Sequence, residues 1–537
     1  MSAAAESPDG AAHARPGLAA AAASGSAWTT VQTVANKLVT IVATLLLARF
    51  LSPAEFGLAN LALMIGAFTF VIAPFVMGDV LLAQPKRFDL LSGTANAVAW
   101  AAGAILFVVL AALAIPIERF TGREGLAFLV FIAALRPLAD AVLVVANSRM
   151  RVDLAYRRIA MIDGGVILAA TVAGVAMAYL GAGPVSLTLP PIATLAVRGA
   201  IYWREARDRI DTTVRRALIG PIARQFTVAA LGQYVNNVLL VLETLVLGFV
   251  ATDDEIGLYG FAAMLAVQAN SVIAGQLGAV LQPIFGHIKD DPARQVGGFL
   301  RATRFLSSVA VPLSLMQAAL AVPAFTLLFE AKWTGAIAVF AVLSIGQAFL
   351  FVSAPAIALL KSQGRFRTYF AWQVGQLLVA VVAFTLAVRF GGAAALSAAE
   401  TIGLPVDPTA GKALALSIAS ACVWAISCPV AVWLGGRPAS LAFHRALAVF
   451  FEPWLVTVPI AAALVGMWAV LRATTVDWSG GAWFADLVAI ALLGPLAGLT
   501  AVAGCIWMRA DTRADFTRLS SRFRGRPRAG VESETSP

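Results

Sequence analysis

The stretch VANKLVTIVATLLLARFLSPAEFG (residues 34–57) decides the fold class. It is apolar over most of its length, as a membrane-spanning helix must be, yet Lys37 lies well inside the span. A charge at that depth is costly and marks a functional position by default. Two hundred residues on, VNNVLLVLETLVLGFVATDDEIG (235–257) repeats the pattern. The chain around these stretches is 60% hydrophobic and 13% charged, with mean hydropathy +0.85. Soluble domains carry about 25% charged residues, so the composition is that of a polytopic membrane protein.

A span needs about 20 mostly apolar residues. Fourteen segments meet that length, at 27–48, 58–80, 92–115, 125–146, 159–181, 186–203, 226–250, 258–286, 305–329, 334–360, 368–388, 413–436, 447–471 and 482–508. With the N-terminus placed in the cytoplasm, 29 of the 39 Lys and Arg fall on cytoplasmic segments, seven on the opposite loops and three (Lys37, Arg136, Arg198) within spans. Positive charge is retained on the cytoplasmic side, so both termini are expected there. The same asymmetry explains the net charge of +10 without nucleic acid. The Ala/Gly/Ser/Pro-rich residues 1–26 lack a strong basic start and read as a disordered cytoplasmic tail.

Residues 31–64 set above 231–264 without a gap share nine of 34 positions, including Asn36/Asn236, Glu55/Glu255 and Gly57/Gly257. LLAQP (81–85) and AVLQP (279–283) sit near the ends of the next spans, and SRMRVDLAYRR (148–158) and SQGRFRTYFAW (362–372) join equivalent ones. An offset of six spans sends both copies into the membrane in the same direction, a parallel repeat. The expected fold is therefore an all-α polytopic membrane protein with 14 transmembrane helices. Two pseudo-symmetric six-helix lobes, 27–203 and 226–436, enclose a central cavity. A basic cytoplasmic linker (204–225) joins them, and two C-terminal helices (437–508) and a cytoplasmic tail (509–537) follow.

The segment ARFLSPAEFGLANLAL after the first span, with NSRMRVDLAYRR after the fourth, resembles the Wzx-like polysaccharide flippases of the multidrug/oligosaccharidyl-lipid/polysaccharide exporter superfamily. The resemblance covers most of spans 1–12. It implies twelve core helices in two lobes, often with two more, and no enzymatic activity. The implied activity is movement of undecaprenyl-diphosphate-linked oligosaccharide across the bacterial inner membrane, for exopolysaccharide or O-antigen. The implied partners are the bilayer, that lipid-linked substrate, and polysaccharide polymerase and co-polymerase proteins. A multidrug exporter of the same superfamily, driven by H⁺ or Na⁺, is the alternative. A polytopic glycosyltransferase or polymerase is a third reading, though no catalytic pair, Gly-rich phosphate loop or Ser/His/Asp arrangement is present.

A cationic, polar cavity suits a diphosphate-linked sugar. Lys37 offers a point charge and Arg136 a bidentate fork for phosphate. Gln32, Asn36, Gln233, Tyr234, Asn236 and Asn237 offer hydroxyl partners, or equally hydrogen bonds between helices. Arg136 also has Asp140 at i+4 as a structural partner. Asp140 and Glu243 are the candidate ion-coupling carboxylates, and Glu243 is also a counter-ion candidate for Lys37 or Arg136. Arg149, Arg151, Arg157 and Arg158 form a topology anchor, or a cytoplasmic gate that meets anionic headgroups. Asp79, Asp163 and Arg198 are read as interfacial pairing, and Pro74, Pro137, Pro312 and Pro355 as kinks. The three cysteines and three histidines show no metal-ligand spacing, so neither metal nor cofactor is expected.

Overall fold

The structure is a computed structural model that describes residues 35–37, 39–68, 76–82, 87–153, 155–268, 285, 291–474 and 481–508. Gln32 and Pro74 lie outside the described residues, as do the side chains of Asp79, Gln233 and Asn236. The described residues are almost wholly helical and contain no strand. Nine helices among them are long and apolar enough to cross a membrane, or ten when a pair bent by 56° at residue 320 counts as one. Several of the fourteen expected spans fall partly on residues that are not described.

Burial separates central helices from peripheral ones. The apolar stretch of Ala336–Ser362 is 72% buried and that of Leu126–Val152 67%, whereas Phe443–Thr474 and Tyr156–Tyr179 reach only 11% and 17%. The second group presents Val172, Leu455, Val470 and similar side chains outward. Exposed apolar faces of that extent are sustainable only against lipid.

Proline marks two of the breaks. Span Leu126–Val152 is two helices, Leu126–Ala134 and Arg136–Val152, with Pro137 in the first turn of the second. The equivalent span of the second half breaks in the same way, into Ala336–Val352 and Ala354–Ser362 with Pro355. Proline lacks the amide that would continue the ladder and clashes with the preceding turn, so each chain bends there. The N-terminal turn of the second helix is thus where Arg136 sits.

Two boundaries differ from the sequence expectation. The linker 204–225 is not one loop, since the preceding helix runs to Ala206 and the next, Arg216–Val250, begins within it. The connection 389–412 contains the helix Gly392–Thr401. Its sequence GAAALSAAET is rich in alanine, the strongest helix former, but the helix is too short to span.

The chain divides into two compact units, 1–264 with 328–339 and 373–419, and 265–327 with 340–372 and 420–537. In the first, a core of Met77, Phe88, Leu143, Met150, Tyr202 and Phe226 gathers the helices of the first half. In the second, Phe299, Phe349, Trp424 and Phe450 form the core. Ser307 there donates to the Val449 carbonyl (2.7 Å), and Asp486 accepts from Trp468 Nε1 (2.8 Å) and Thr326 Oγ1 (2.6 Å).

Candidate functional site

The repeated Glu-x-Gly motifs meet in space, within the first unit. Ser52 and Glu55 form a capping box at the start of helix Pro53–Phe68. The Glu55 carboxylate accepts from the Ser52 amide (2.8 Å) and hydroxyl (2.9 Å), and Ser52 Oγ accepts from the Glu55 amide (3.2 Å). Thr252 and Glu255 repeat it, with Thr252 N to Glu255 Oε2 at 3.0 Å and Glu255 N to Thr252 Oγ1 at 3.3 Å. Each box satisfies amides that a helix start leaves unpaired. The two helices cross with almost no separation. A Cβ on Gly57 would collide with the Asp253 carbonyl, and a Cβ on Gly257 with the Pro53 carbonyl. Only glycine permits that approach.

Cations clamp the crossing reciprocally. Helix Phe88–Thr121 ends at Gly122 in the left-handed conformation (φ 68°). Gly125 (φ 81°) starts the following helix. This tight turn holds Arg123 against the end of helix Arg216–Val250. Its Nε meets Asp253 Oδ1 at 2.5 Å, Nη1 donates to the Gly248 carbonyl (2.6 Å) and Nη2 to the Ala251 carbonyl (2.7 Å). A guanidinium there satisfies orphan carbonyls and complements the negative end of the helix dipole. In the other direction, Lys332 Nζ donates to the Arg49 carbonyl (3.0 Å) and Trp333 Nε1 to the Ala48 carbonyl (2.8 Å). The turn between the third and fourth spans of each half therefore caps the first span of the other half. Lys412 adds a further tie, with Nζ to the Val250 carbonyl at 2.6 Å and its amide to Glu255 Oε1 at 3.2 Å. Trp333, fully buried, packs against Phe56 (5.6 Å, edge-on) and Phe261 (4.0 Å).

A second cluster lies within the same unit. Arg198 Nε and Tyr202 Oη both reach Asp163 Oδ1 at 2.5 Å, which bears out the pairing expected of Asp163 and Arg198. Arg136 Nε stands 3.9 Å from Asp140 Oδ2, the i+4 pair read from the sequence. In the basic segment, Arg149 pairs with Asp89 (2.6 Å) and Asp153 (3.2 Å), and Arg158 with Glu205 (2.7 Å). Arg151 donates to Asn147 Oδ1 (2.9 Å) and lines a cleft together with Asp140. In the linker, hydrogen bonds from Thr213 and the Arg215 guanidinium hold the exposed Asp211 carboxyl down to about 2.

Glu243 accepts a short hydrogen bond from Tyr259 Oη. Lys37, Asn36, Tyr234 and Asn237 are half-buried on their helices. The sequence reading counted Arg123, Lys332 and Lys412 only as outer-loop cations and Glu55 and Glu255 only as repeat positions, and it gave Asp486 no role. The boxes had a signal in S-x-x-E and T-x-x-E. The lysines and Arg123 looked like ordinary loop cations.

A family model described as "Polysaccharide biosynthesis protein" matches residues 46–338. The chain belongs to that family. Among curated proteins, it is similar to the succinoglycan biosynthesis transport protein ExoT of Rhizobium meliloti (strain 1021). That match is 27% identical over 359 residues, 64% of this chain and 69% of the relative. It is also 23% identical to the teichuronic acid biosynthesis protein TuaB of Bacillus subtilis (strain 168), over 68% of this chain and 77% of the relative. Among solved structures, the lipid II flippase MurJ in an inward closed conformation aligns with a TM-score of 0.63. The alignment is 12% identical and covers 90% of this chain and 99% of that one. An inward-facing multidrug-resistance MATE transporter aligns at 0.54, 12% identical, over 75% and 96%. This member of the polysaccharide biosynthesis family is a multi-pass, all-helical membrane protein whose fold is shared with MurJ and the MATE transporter.

Proposed function

We propose that the protein flips undecaprenyl-diphosphate-linked oligosaccharide from the cytoplasmic to the periplasmic leaflet of the bacterial inner membrane by alternating access, with both termini cytoplasmic. The two halves act as lobes related by the parallel repeat. The crossing of Gly57 and Gly257 is the observation that carries this reading. It is a closure made of backbone contact, two capping boxes and a few cationic caps, which can separate without unfolding either helix. By the positive-inside argument its loops lie on the periplasmic side, so the state is sealed outward. Lys37 and Arg136 meet the diphosphate, and Asn36, Tyr234 and Asn237 meet sugar hydroxyls, as do Gln32, Gln233 and Asn236. Glu243 and Asp140 are the candidates for ion coupling, and Arg149, Arg151, Arg157 and Arg158 guide the anionic headgroup at the cytoplasmic side.

The test is reconstitution in liposomes with a fluorescent polyprenyl-diphosphate oligosaccharide and a membrane-impermeant quencher. Wild type is expected to move the lipid, and Lys37→Ala and Gly257→Val to lose that movement. Wild type that leaves every lipid-linked sugar in place while exporting an organic cation would refute the proposal in favour of a drug exporter.

A further inference from the structure

Between helices Val76–Leu82 and Arg136–Val152 lies a cleft of about 190 Å³. A single water needs roughly 10–15 Å³ of such space, so the cleft has room for a small organic group. Asp140, Asn147, Ser148 and Arg151 supply its polar lining, and Gly78 and Leu82 form part of its wall.

The cleft has a defined hydrogen-bonding polarity. Asp140 is 5% exposed, and its Oδ2 has no hydrogen-bond partner among the described residues. A buried acceptor left in that condition is costly, and a ligand that donates to it recovers the loss. Arg136, with Nε 3.9 Å from this oxygen, already supplies a positive charge beside it. What Oδ2 lacks is therefore a donor, which favours a neutral hydroxyl over an ammonium. Ser148 Oγ donates to the Val144 carbonyl (2.8 Å), which leaves its lone pairs to accept from a ligand. Asn147 Oδ1 is taken by Arg151 Nε (2.9 Å), which leaves the amide NH₂ as a donor. Arg151 is exposed, and its remaining guanidinium donors suit a phosphate. The order is acceptors within and a cation at the edge.

We propose that this cleft binds a hydroxyl-bearing phosphate headgroup, with a hydroxyl on Asp140 Oδ2 and the phosphate on Arg151. Two sources carry that chemistry. One is the first sugar and diphosphate of the lipid-linked substrate, in which case the inference rests on the flippase reading above. The other is a glycerol-phosphate headgroup of the resident membrane. Gly78 makes the site testable without touching the charged network. A Cβ there stands 3.3 Å from Ser148 Oγ and 3.4 Å from Val144 Cγ2, so a larger side chain fills the cleft.

The full-length protein in nanodiscs would be titrated by native mass spectrometry with four probes. These are polyprenyl diphosphate with and without one hexose, phosphatidylglycerol and phosphatidylethanolamine. Gly78→Val, Arg151→Gln and an exposed control, Arg224→Gln, would be compared with wild type. Asp140→Ala is avoided because it also removes the carboxylate beside Arg136. We expect the hexosyl lipid to bind about tenfold tighter than the bare diphosphate, with that preference lost in Gly78→Val and all phosphate affinity lowered in Arg151→Gln. Preference for phosphatidylglycerol over phosphatidylethanolamine with the same variant pattern assigns the site to the resident lipid. Affinities for all four probes unchanged in both cleft variants would overturn the proposal. If the wild type still flips the oligosaccharide lipid in that case, the flippase reading stands without the cleft. If it flips nothing while headgroup binding follows the variants, the cleft stands without the flippase.

Discussion

Replacing Arg123 by Gln removes three contacts from the crossing at once, namely the Asp253 ion pair and the bonds to the Gly248 and Ala251 carbonyls. The Arg123 side chain is only 11% exposed and Asp253 27%, so water screens the pair incompletely. Hydrogen bonds to charged groups contribute roughly 1.5–3 kcal/mol each. Partial exposure of the carboxylate and the alternative solvation of the freed carbonyls reduce the sum, leaving about 3 kcal/mol. All of it is present only while the crossing is closed. A change of that size shifts the ratio of open to closed protein by about 150-fold. Ala59, fully buried on helix Pro53–Phe68, reports the shift. In a Cys422→Ala background, where Cys428 and Cys505 are buried, Ala59→Cys would be labelled with a membrane-impermeant maleimide. Arg123→Gln should raise the labelling rate at least tenfold over the parent. Arg123→Lys should fall between, since it keeps the charge but loses the fork. A double-mutant cycle with Asp253→Asn isolates the pairwise share. A labelling rate unmoved by Arg123→Gln refutes the reasoning, because the clamp would then be contributing nothing to closure.

Gly257→Ala should abolish oligosaccharide-lipid flipping and increase Ala59→Cys labelling, whereas Gly164→Ala, whose Cβ meets nothing within 4 Å, should leave both unchanged. Tyr202→Phe removes one hydrogen bond to Asp163 and should cost about 1 kcal/mol, while Asp163→Ala strands Arg198 and should cost about 3–5 kcal/mol. Thermal unfolding of the detergent-solubilised variants would rank them. The Asp211 carboxyl is held below its ordinary range, so its contribution is complete above about pH 4. That contribution disappears as the pH falls through about 2. Hydrogen exchange at the Thr213 amide, corrected for intrinsic rate, should lose protection across that window in wild type and show no such step in Asp211→Asn.

Much of the architecture was legible in the chain, and its limits follow from range. The pair Arg136 and Asp140 was readable because four residues is one helical turn. The helix breaks at Pro137 and Pro355 fall where proline chemistry allows them, whereas Pro312, read in the same way, lies inside the continuous helix Pro292–Ala319. The repeat around Glu55 and Glu255 was visible as a pattern. Its meaning was not, because a glycine needed for close approach looks the same whichever partner approaches it. Arg123 and Asp253 lie 130 residues apart, and Lys412 and Val250 162 apart. No local periodicity joins such pairs. Asp163 and Tyr202, separated by 39 residues, belong to different spans, and only helix packing brings them together. The helix Gly392–Thr401 was legible from its alanines, but a search for spans passes over anything so short.

The reciprocal capping has the form of a two-fold contact. In a symmetric dimer, residue i of one copy meets residue j of the other and j meets i. The contacts at the crossing have that form, with Gly57 against Gly257 and each half's third-to-fourth turn on the other half's first span. A single substitution in such a dimer alters both clamps together, whereas in one chain each clamp is set separately, by Arg123 with Asp253 on one side and by Lys332 with Trp333 on the other. One clamp is ionic and the other largely aromatic, so salt should loosen the first and leave the second closed.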